Sequence, residues 1–380
     1  MEFNWTKKQI ELKKKVIEFA SKKLNENIIE QDNLGEFPRQ KWLDCASFGI
    51  QGAIIPEEYN GLDLDISSAV LLMEGLGYGC KDNGLLFSIN AHIWGCEIPI
   101  LHFGTDEQKN KYLPGLSKGS LIGAHGMTEP DSGSDAFSLK TTAVKKGNSY
   151  ILNGRKTFIT NAPTADLFIS YARIPQKNHR SKISCFIVER GMGGVSVSKK
   201  IDKMGLKTSP YGDIIFEDCI VPEENLLGKE GLGQAVFNNS MAEERAFILA
   251  THVGLMERQL EECLSYSKKR IQFNKRIFKF QSISNMLADM KVRLEASRLL
   301  VYKVAWLRDQ KKNAFLDSSI TKLFVSESCI KNSLSAIRIY GGYGYSTEYE
   351  IERQLRDSIG SVLYSGTSEI QRNIIAELLD

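Results

Sequence analysis

The sequence predicts a mostly α protein with a central β domain. Three observations carry this. Apolar residues recur at helical spacing in the first third, as at Val16, Phe19 and Ala20 and again at Ala69, Leu72, Met73 and Leu76. Between 121 and 228 short runs of β-formers replace that pattern. From about Gly231 long helical repeats return. The expected organisation is an N-terminal helical domain (1–120), a middle antiparallel β domain (121–228) and a C-terminal helical bundle domain (229–380).

The N-terminus opens on an amphipathic, acid-containing helix, unlike a signal or transit peptide. Its lysines (Lys7, Lys8, Lys13, Lys14, Lys15, Lys22, Lys23) read as solvated surface. Thr105-Asp106-Glu107-Gln108 has the makings of a helix start, an N-cap followed by early carboxylates. The runs Tyr150–Lys156, Leu167–Tyr171 and Ser184–Val188 read as strands. Gly147-Asn148, Asn153-Gly154 and Gly193-Gly194 punctuate them. The stretch from Pro175 to Arg180 reads as a surface loop. Three long helices follow: Gln234 to near Gln272, Gln281 to Gln310, and Asp317 to Tyr340. Such lengths suit helices packed on neighbours or on other subunits.

Composition narrows the function classes. The 380 residues are 42% hydrophobic and 25% charged, ordinary for a globular protein. A net charge of +3 argues against a nucleic-acid binder that works by phosphate neutralisation. No apolar stretch reaches the ~18–20 residues of a membrane span. The seven cysteines are scattered, odd in number and without a CxxC pair. They read as reduced core residues of a cytoplasmic protein, with no disulfide framework or zinc site.

Four local runs carry chemistry. They are Met127-Thr128-Glu129-Pro130-Asp131-Ser132-Gly133-Ser134-Asp135; Asn153-Gly154-Arg155-Lys156-Thr157-Phe158-Ile159-Thr160-Asn161; Arg270 and Phe273 with the helix from Gln281 to Met290; and Gly341-Gly342-Tyr343-Gly344-Tyr345 with Ser365-Gly366-Thr367. In order and spacing, over essentially the whole chain, they resemble the acyl-CoA dehydrogenase family. The resemblance implies that family's three-domain fold, with a C-terminal four-helix bundle, and FAD as cofactor. On the residues alone, Thr128, Gly133 and Ser134 offer hydroxyls and amides suited to a flavin's pyrimidine edge and a pyrophosphate. The resemblance adds Met127 and Ile159 to the flavin site, packs an aromatic (here Phe158, where Trp is usual) against the ring, and sets Thr160 near N5. It places Arg270, Phe273 and Gln281 on the adenosine-diphosphate half of a neighbouring subunit's FAD. An Arg fork suits a pyrophosphate. Gly341 and Gly342 allow close backbone approach. Thr367 and Glu369 match positions at the adenine end and the flavin rim. Two departures stand here: Asn274 where Gly is usual, and Arg338 where Gln is common. Gly75-Leu76-Gly77-Tyr78-Gly79 does not follow a strand and is not read as a dinucleotide fingerprint.

In the family's signature a Glu removes the α-proton of the thioester; here that position is Ser365. Glu244, in Glu243-Glu244-Arg245, matches the alternative position of isovaleryl- and long-chain-type relatives. Successive helical residues point about 100° apart, so only one of Glu243 and Glu244 can face a site; register with Arg245 selects Glu244. The expected roles are Glu244 as base, the Ser365 backbone amide as donor to the thioester carbonyl, and Arg245 as a substrate contact or helix-ordering residue. Within the family the group that oxidises a prolyl moiety on an acyl or peptidyl carrier protein is most similar. That resemblance implies a flavin-dependent oxidoreductase giving a dehydroprolyl thioester in natural-product biosynthesis. A short or branched-chain acyl-CoA dehydrogenase is the alternative, and an inactive flavin-binding scaffold the second. The expected partners are a carrier protein and three further copies in a homotetramer.

Overall fold

A computed structural model describes residues 4–175 and 182–380. The N-terminal part is helical: α1 (Lys7–Lys23), α2 (Ile28–Leu34), α3 (Arg39–Phe48), α4 (Ile66–Gly79), α5 (Asn83–His92), α6 (Ile98–Phe103) and α7 (Asp106–Ser117). Thr6 and Thr105 start α1 and α7 with capping boxes, as the Thr105 run predicts. Lys13 is not merely solvated: its Nζ lies 2.6 Å from the buried carboxylate of Glu74. The glycines of α4 serve helix packing. A Cβ at Gly77 would lie 2.1 Å from the Thr251 carbonyl oxygen.

A π-helical stretch, Ile93–Glu97, joins α5 to α6. The continuous run Asn83–Phe103 holds an 18-residue window of mean hydropathy 1.2 and is long enough to cross a membrane, which corrects the expectation that no stretch reaches that length. Its apolar window is 83% buried inside the fold, so the core accounts for its composition.

Eight strands follow: β1 (Gly123–Gly126), β2 (Thr142–Lys146), β3 (Ser149–Thr160), β4 (Leu167–Ile174), β5 (Lys182–Glu189), β6 (Val195–Val197), β7 (Tyr211–Pro222) and β8 (Leu226–Leu227). They form one sheet in the order β6-β7-β3-β2-β4-β5-β8, with β1 on β4. It is mixed rather than purely antiparallel, because β1 and one residue of β2 pair β4 in parallel. Gly147 (φ 60°) turns the β2–β3 hairpin as expected. Asn153-Gly154 does not punctuate; it lies inside β3. There φ at Gly154 is 150°, a Cβ would lie 2.4 Å from Thr141 Oγ1, and the ladder with β7 slips. Of the loop expected at 175–180, only Pro175 falls among the described residues.

The C-terminal part contains α8 (Gly233–Phe247), α9 (Ala250–Lys269), a hairpin of β9 (Ile271–Gln272) and β10 (Lys275–Arg276), α10 (Gln281–Asp309), α11 (Phe315–Tyr340), α12 (Gly342–Tyr345), α13 (Ile351–Ile359) and α14 (Ser368–Glu377). Helices α8 to α11 pack together as the bundle. The helix predicted from Gln234 to near Gln272 is therefore two helices, broken at Ile248-Leu249. Both residues are apolar and buried, so nothing in the periodicity marks the break. Arg270 and Phe273 lie beyond the helix end, on the hairpin. Its turn residues Phe273 and Asn274 both take positive φ (50° and 57°), a conformation Asn tolerates and Gly usually supplies. All seven cysteines are buried and free.

Candidate active site

Glu243 and Glu244 diverge as successive helical residues must. Glu243 is buried against the Arg308 guanidinium. Glu244 points to the other side, where its Oε1 accepts a hydrogen bond of 2.5 Å from the Ser365 hydroxyl. Ser365 sits ahead of α14 with φ 54°. Its carbonyl and that of Gly366 each accept from the Gln371 side chain at 3.1 Å. The left-handed conformation of Ser365 is thereby clamped by a buried amide on the first turns of α14. The Glu244 Oε2 faces Gly95 in the π-helical stretch, where a Cβ would stand 3.8 Å away. Single π-type turns inside helices recur at functional sites, and this one lets the His125 side chain pack close to Gly95, where a Cβ would stand 2.9 Å from the His125 Cβ.

Burial pushes the Glu244 carboxyl above the usual carboxylate range. The Ser365 hydroxyl, Arg245 and Lys322 oppose that shift. Lys322, on α11, is fully buried, and its Nζ has no hydrogen-bond partner among the described residues. Burial, and then the neighbouring Arg245, pull its pKa down to about 7. The Arg245 Nε is also buried without a partner. Sequence reading singled out Arg245 but missed Lys322. The signal was a lysine at i+4 between Ser318 and Ser326, on what proves to be a buried polar stripe of α11.

The residue before Ser365 forms a wall. Tyr364 is hydrogen-bonded to His252 Nε2 at 3.0 Å, and its ring centroid lies 4.5 Å from that of Phe87. Burial holds the His252 pKa down at about 4, so this wall carries no charge at neutral pH.

The cofactor residues predicted from sequence fall into two groups. In the first, the loop after β1 is held by the Glu129 carboxylate. It pairs with the buried Lys156 ammonium at 2.7 Å and accepts the Thr141 amide at 3.0 Å. That leaves Gly133 and Ser134 exposed, with Thr128 half-buried and Met127 buried behind them. On β3 a second register slip falls between Lys156 and Ile159. It turns Phe158 (φ 56°) out of the ladder, leaves it 58% exposed and stacks it 5.8 Å from Tyr211. Ile159 is buried and Thr160 half-buried. Exposed donors beside an unburied aromatic at a strained residue suit a flat, hydrogen-bonding ring such as a flavin.

The second group lies on the C-terminal part. The Arg270 guanidinium stands over the Tyr343 ring at 5.7 Å, and Phe273 is 88% exposed. Gln281 starts α10 in the open, and Arg338 is exposed on the last turn of α11. Gly341 (φ 63°, ψ −133°) takes a conformation reserved for glycine; at Gly341 and Gly342 a Cβ would meet nothing within 4 Å. This open cationic and aromatic surface suits a nucleotide diphosphate. Beyond Ser365, Thr367 caps α14 and Glu369 is exposed. Among the described residues, no hydrogen bond, ion pair or ring contact joins the Arg270–Phe273 hairpin to the Thr128–Thr160 group.

Comparison with known proteins agrees with this architecture. Models of the acyl-CoA dehydrogenase N-terminal, middle and C-terminal domains match residues 6–120, 124–219 and 231–379. The chain belongs to the acyl-CoA dehydrogenase family, whose cofactor is FAD, as the sequence predicts. It is 42% identical over 344 residues to the L-prolyl-[peptidyl-carrier protein] dehydrogenase of Pseudomonas fluorescens, with 90% of each chain covered. Among solved structures it matches the prolyl acyl carrier protein oxidase AnaB with TM-score 0.97 and 48% identity, covering 99% of this chain and 100% of that one. PigA with FAD and proline matches with TM-score 0.96 and 38% identity, covering 100% and 99%.

Proposed function

We propose that the protein oxidises an L-prolyl group held as a thioester on a peptidyl or acyl carrier protein, giving a dehydroprolyl thioester. The observation that carries the chemistry is Glu244, a carboxylate with one oxygen anchored by Ser365 and the other free of hydrogen bonds among the described residues, where the family's usual base position holds Ser365. The prolyl assignment is supported by the names of the relatives. In this reading Glu244 Oε2 takes the α-proton. The pKa raised by burial makes Glu244 a better proton acceptor than a solvated carboxylate. The Ser365 amide donates to the thioester carbonyl and stabilises the charge that builds there. Tyr364, Phe87 and His252 close one side of the acyl space and exclude water.

FAD, when bound, supplies the two-electron acceptor for the hydrogen that leaves the neighbouring atom. Met127, Thr128, Gly133, Ser134, Phe158, Ile159 and Thr160 would hold the flavin, with Thr367 and Glu369 at its rim. Arg270, Phe273, Gln281, Arg338, Gly341 and Gly342 would hold the diphosphate half of a partner chain's FAD, in a dimer of dimers. The exposed Ile271 and Phe273 support a partner on that surface. Seven free, buried cysteines support a reducing, cytoplasmic compartment.

The test is anaerobic flavin bleaching with prolyl-loaded carrier protein and, separately, with short branched acyl-CoA esters. Bleaching by the carrier-bound proline is expected. Bleaching by the CoA esters alone removes the carrier substrate.

A further inference from the structure

We infer that the Ser365 hydroxyl is a positioning group for the base: by donating to Oε1 it fixes the Glu244 carboxylate so that Oε2 is presented to the substrate proton. This rests on the reading of Glu244 as the base and gives the Ser365 side chain a role of its own.

The hydrogen bond joins residues 121 positions apart at 2.5 Å, within the range of a hydroxyl donating to a charged oxygen. Among the described residues it is the only hydrogen bond made to that carboxylate. The terminal torsion of a glutamate is broad, so a carboxylate held by neither oxygen would sample many orientations. One anchored oxygen defines the plane and leaves the other without a hydrogen bond among the described residues, on the side of Gly95 and His125. The donor itself is fixed from behind. Ser365 is held in a left-handed conformation by Gln371, which takes both carbonyls of the Ser365-Gly366 turn.

The other groups around Glu244 do not duplicate this. Arg245 on its own helix and Lys322 on α11 are cations, but neither donates a hydrogen bond to it. Burial keeps the Cys96 thiol, the Tyr171 phenol and the Tyr364 phenol un-ionised, and keeps His125 neutral with a pKa of about 4. Among the described residues around Glu244, Lys322 titrates in the working range, at about 7. The hydroxyl also favours the ionised form of Glu244, because it can donate to a carboxylate more strongly than to a carboxylic acid.

The experiment compares Ser365→Ala with Ser365→Gly. Both remove the hydroxyl; Ala keeps the left-handed backbone cost and Gly relieves it. Each is made in the native chain and in a Lys322→Met background, which removes the second titration. Two quantities are read against pH: the rate of anaerobic flavin reduction by substrate, and the protonated-carboxyl infrared band of Glu244 without substrate, assigned by its loss in Glu244→Gln. Both Ser365 variants are expected to bind FAD. They should move the acid limb and the infrared titration upward by on the order of one pH unit. The rate should fall about tenfold at the acid end and less at high pH. Unmoved titrations, or equal losses at every pH, overturn the inference. Persistent flavin reduction in Glu244→Gln overturns the reading of the base, and the positioning role with it. An unmoved infrared titration in the Ser365 variants overturns the positioning role alone.

Discussion

At the residue scale, the contact between Glu244 and Ser365 gives the proposed base two backbone positions from which it could be carried. Their side-chain oxygens meet at 2.5 Å, so a carboxylate grown from residue 365 reaches the same point as one grown from residue 244. The double variant Glu244→Gly, Ser365→Glu should therefore recover flavin reduction to at least about tenfold above Glu244→Gln, read in single-turnover reduction. The base works when ionised, and burial raises its pKa. The reduction rate should thus be lost as pH falls through a value above the ordinary carboxylate range. Lys322 gives the opposite kind of prediction. Its pKa drops from 10.5 unfolded to about 7 folded, so between those values the unfolded chain binds more protons and stability rises with pH. Lys322→Met should raise the melting temperature, most at or below pH 7, with the gain shrinking as pH climbs toward 10; a constant gain would contradict the buried, unpaired ammonium. The Glu244–Ser365 pair was legible in the sequence because both residues sit in recognisable motifs. Lys322 and the use of the Ser365 hydroxyl were not, because burial and close approach of segments far apart in the chain leave no local mark.

At the element scale, the features that shape the site are departures from regular structure. The π-helical stretch sets Gly95 near Glu244, the slip in β3 turns Phe158 outward, and the break between α8 and α9 ends the helix that carries Glu244. The sequence showed α10 and α11 almost to the residue, since neither run contains a Gly or Pro to interrupt a helix. It read the α8–α9 break as continuous, because buried apolar residues there satisfy the helical pattern. It took Asn153-Gly154 for a turn, because the same dipeptide serves a hairpin or a bulge. Gly154→Ala would force a methyl against Thr141, so a loss of about 1–3 kcal/mol in urea unfolding is expected. A neutral result would show that β2 and β3 can separate at no cost.

At the scale of the whole molecule, one chain presents two separate groups of proposed cofactor residues. The first lies on the loop after β1 and on β3; the cationic and aromatic group lies on the hairpin, the start of α10, the end of α11 and α12. A chain so built is complete only in an assembly, if the second group serves a neighbour. Arg270→Ala combined with Phe273→Ser should then lower FAD retention on gel filtration and shift the sedimentation profile to smaller species. Full FAD retention by a monomer would break the shared-site arrangement.

The measurement closest to the central claim is single-turnover flavin reduction by prolyl-loaded carrier protein in Glu244→Gln. The variant should bind FAD with an unchanged absorption spectrum and lose reduction by at least about a hundredfold. Reduction at the rate of the native chain would contradict Glu244 as the base.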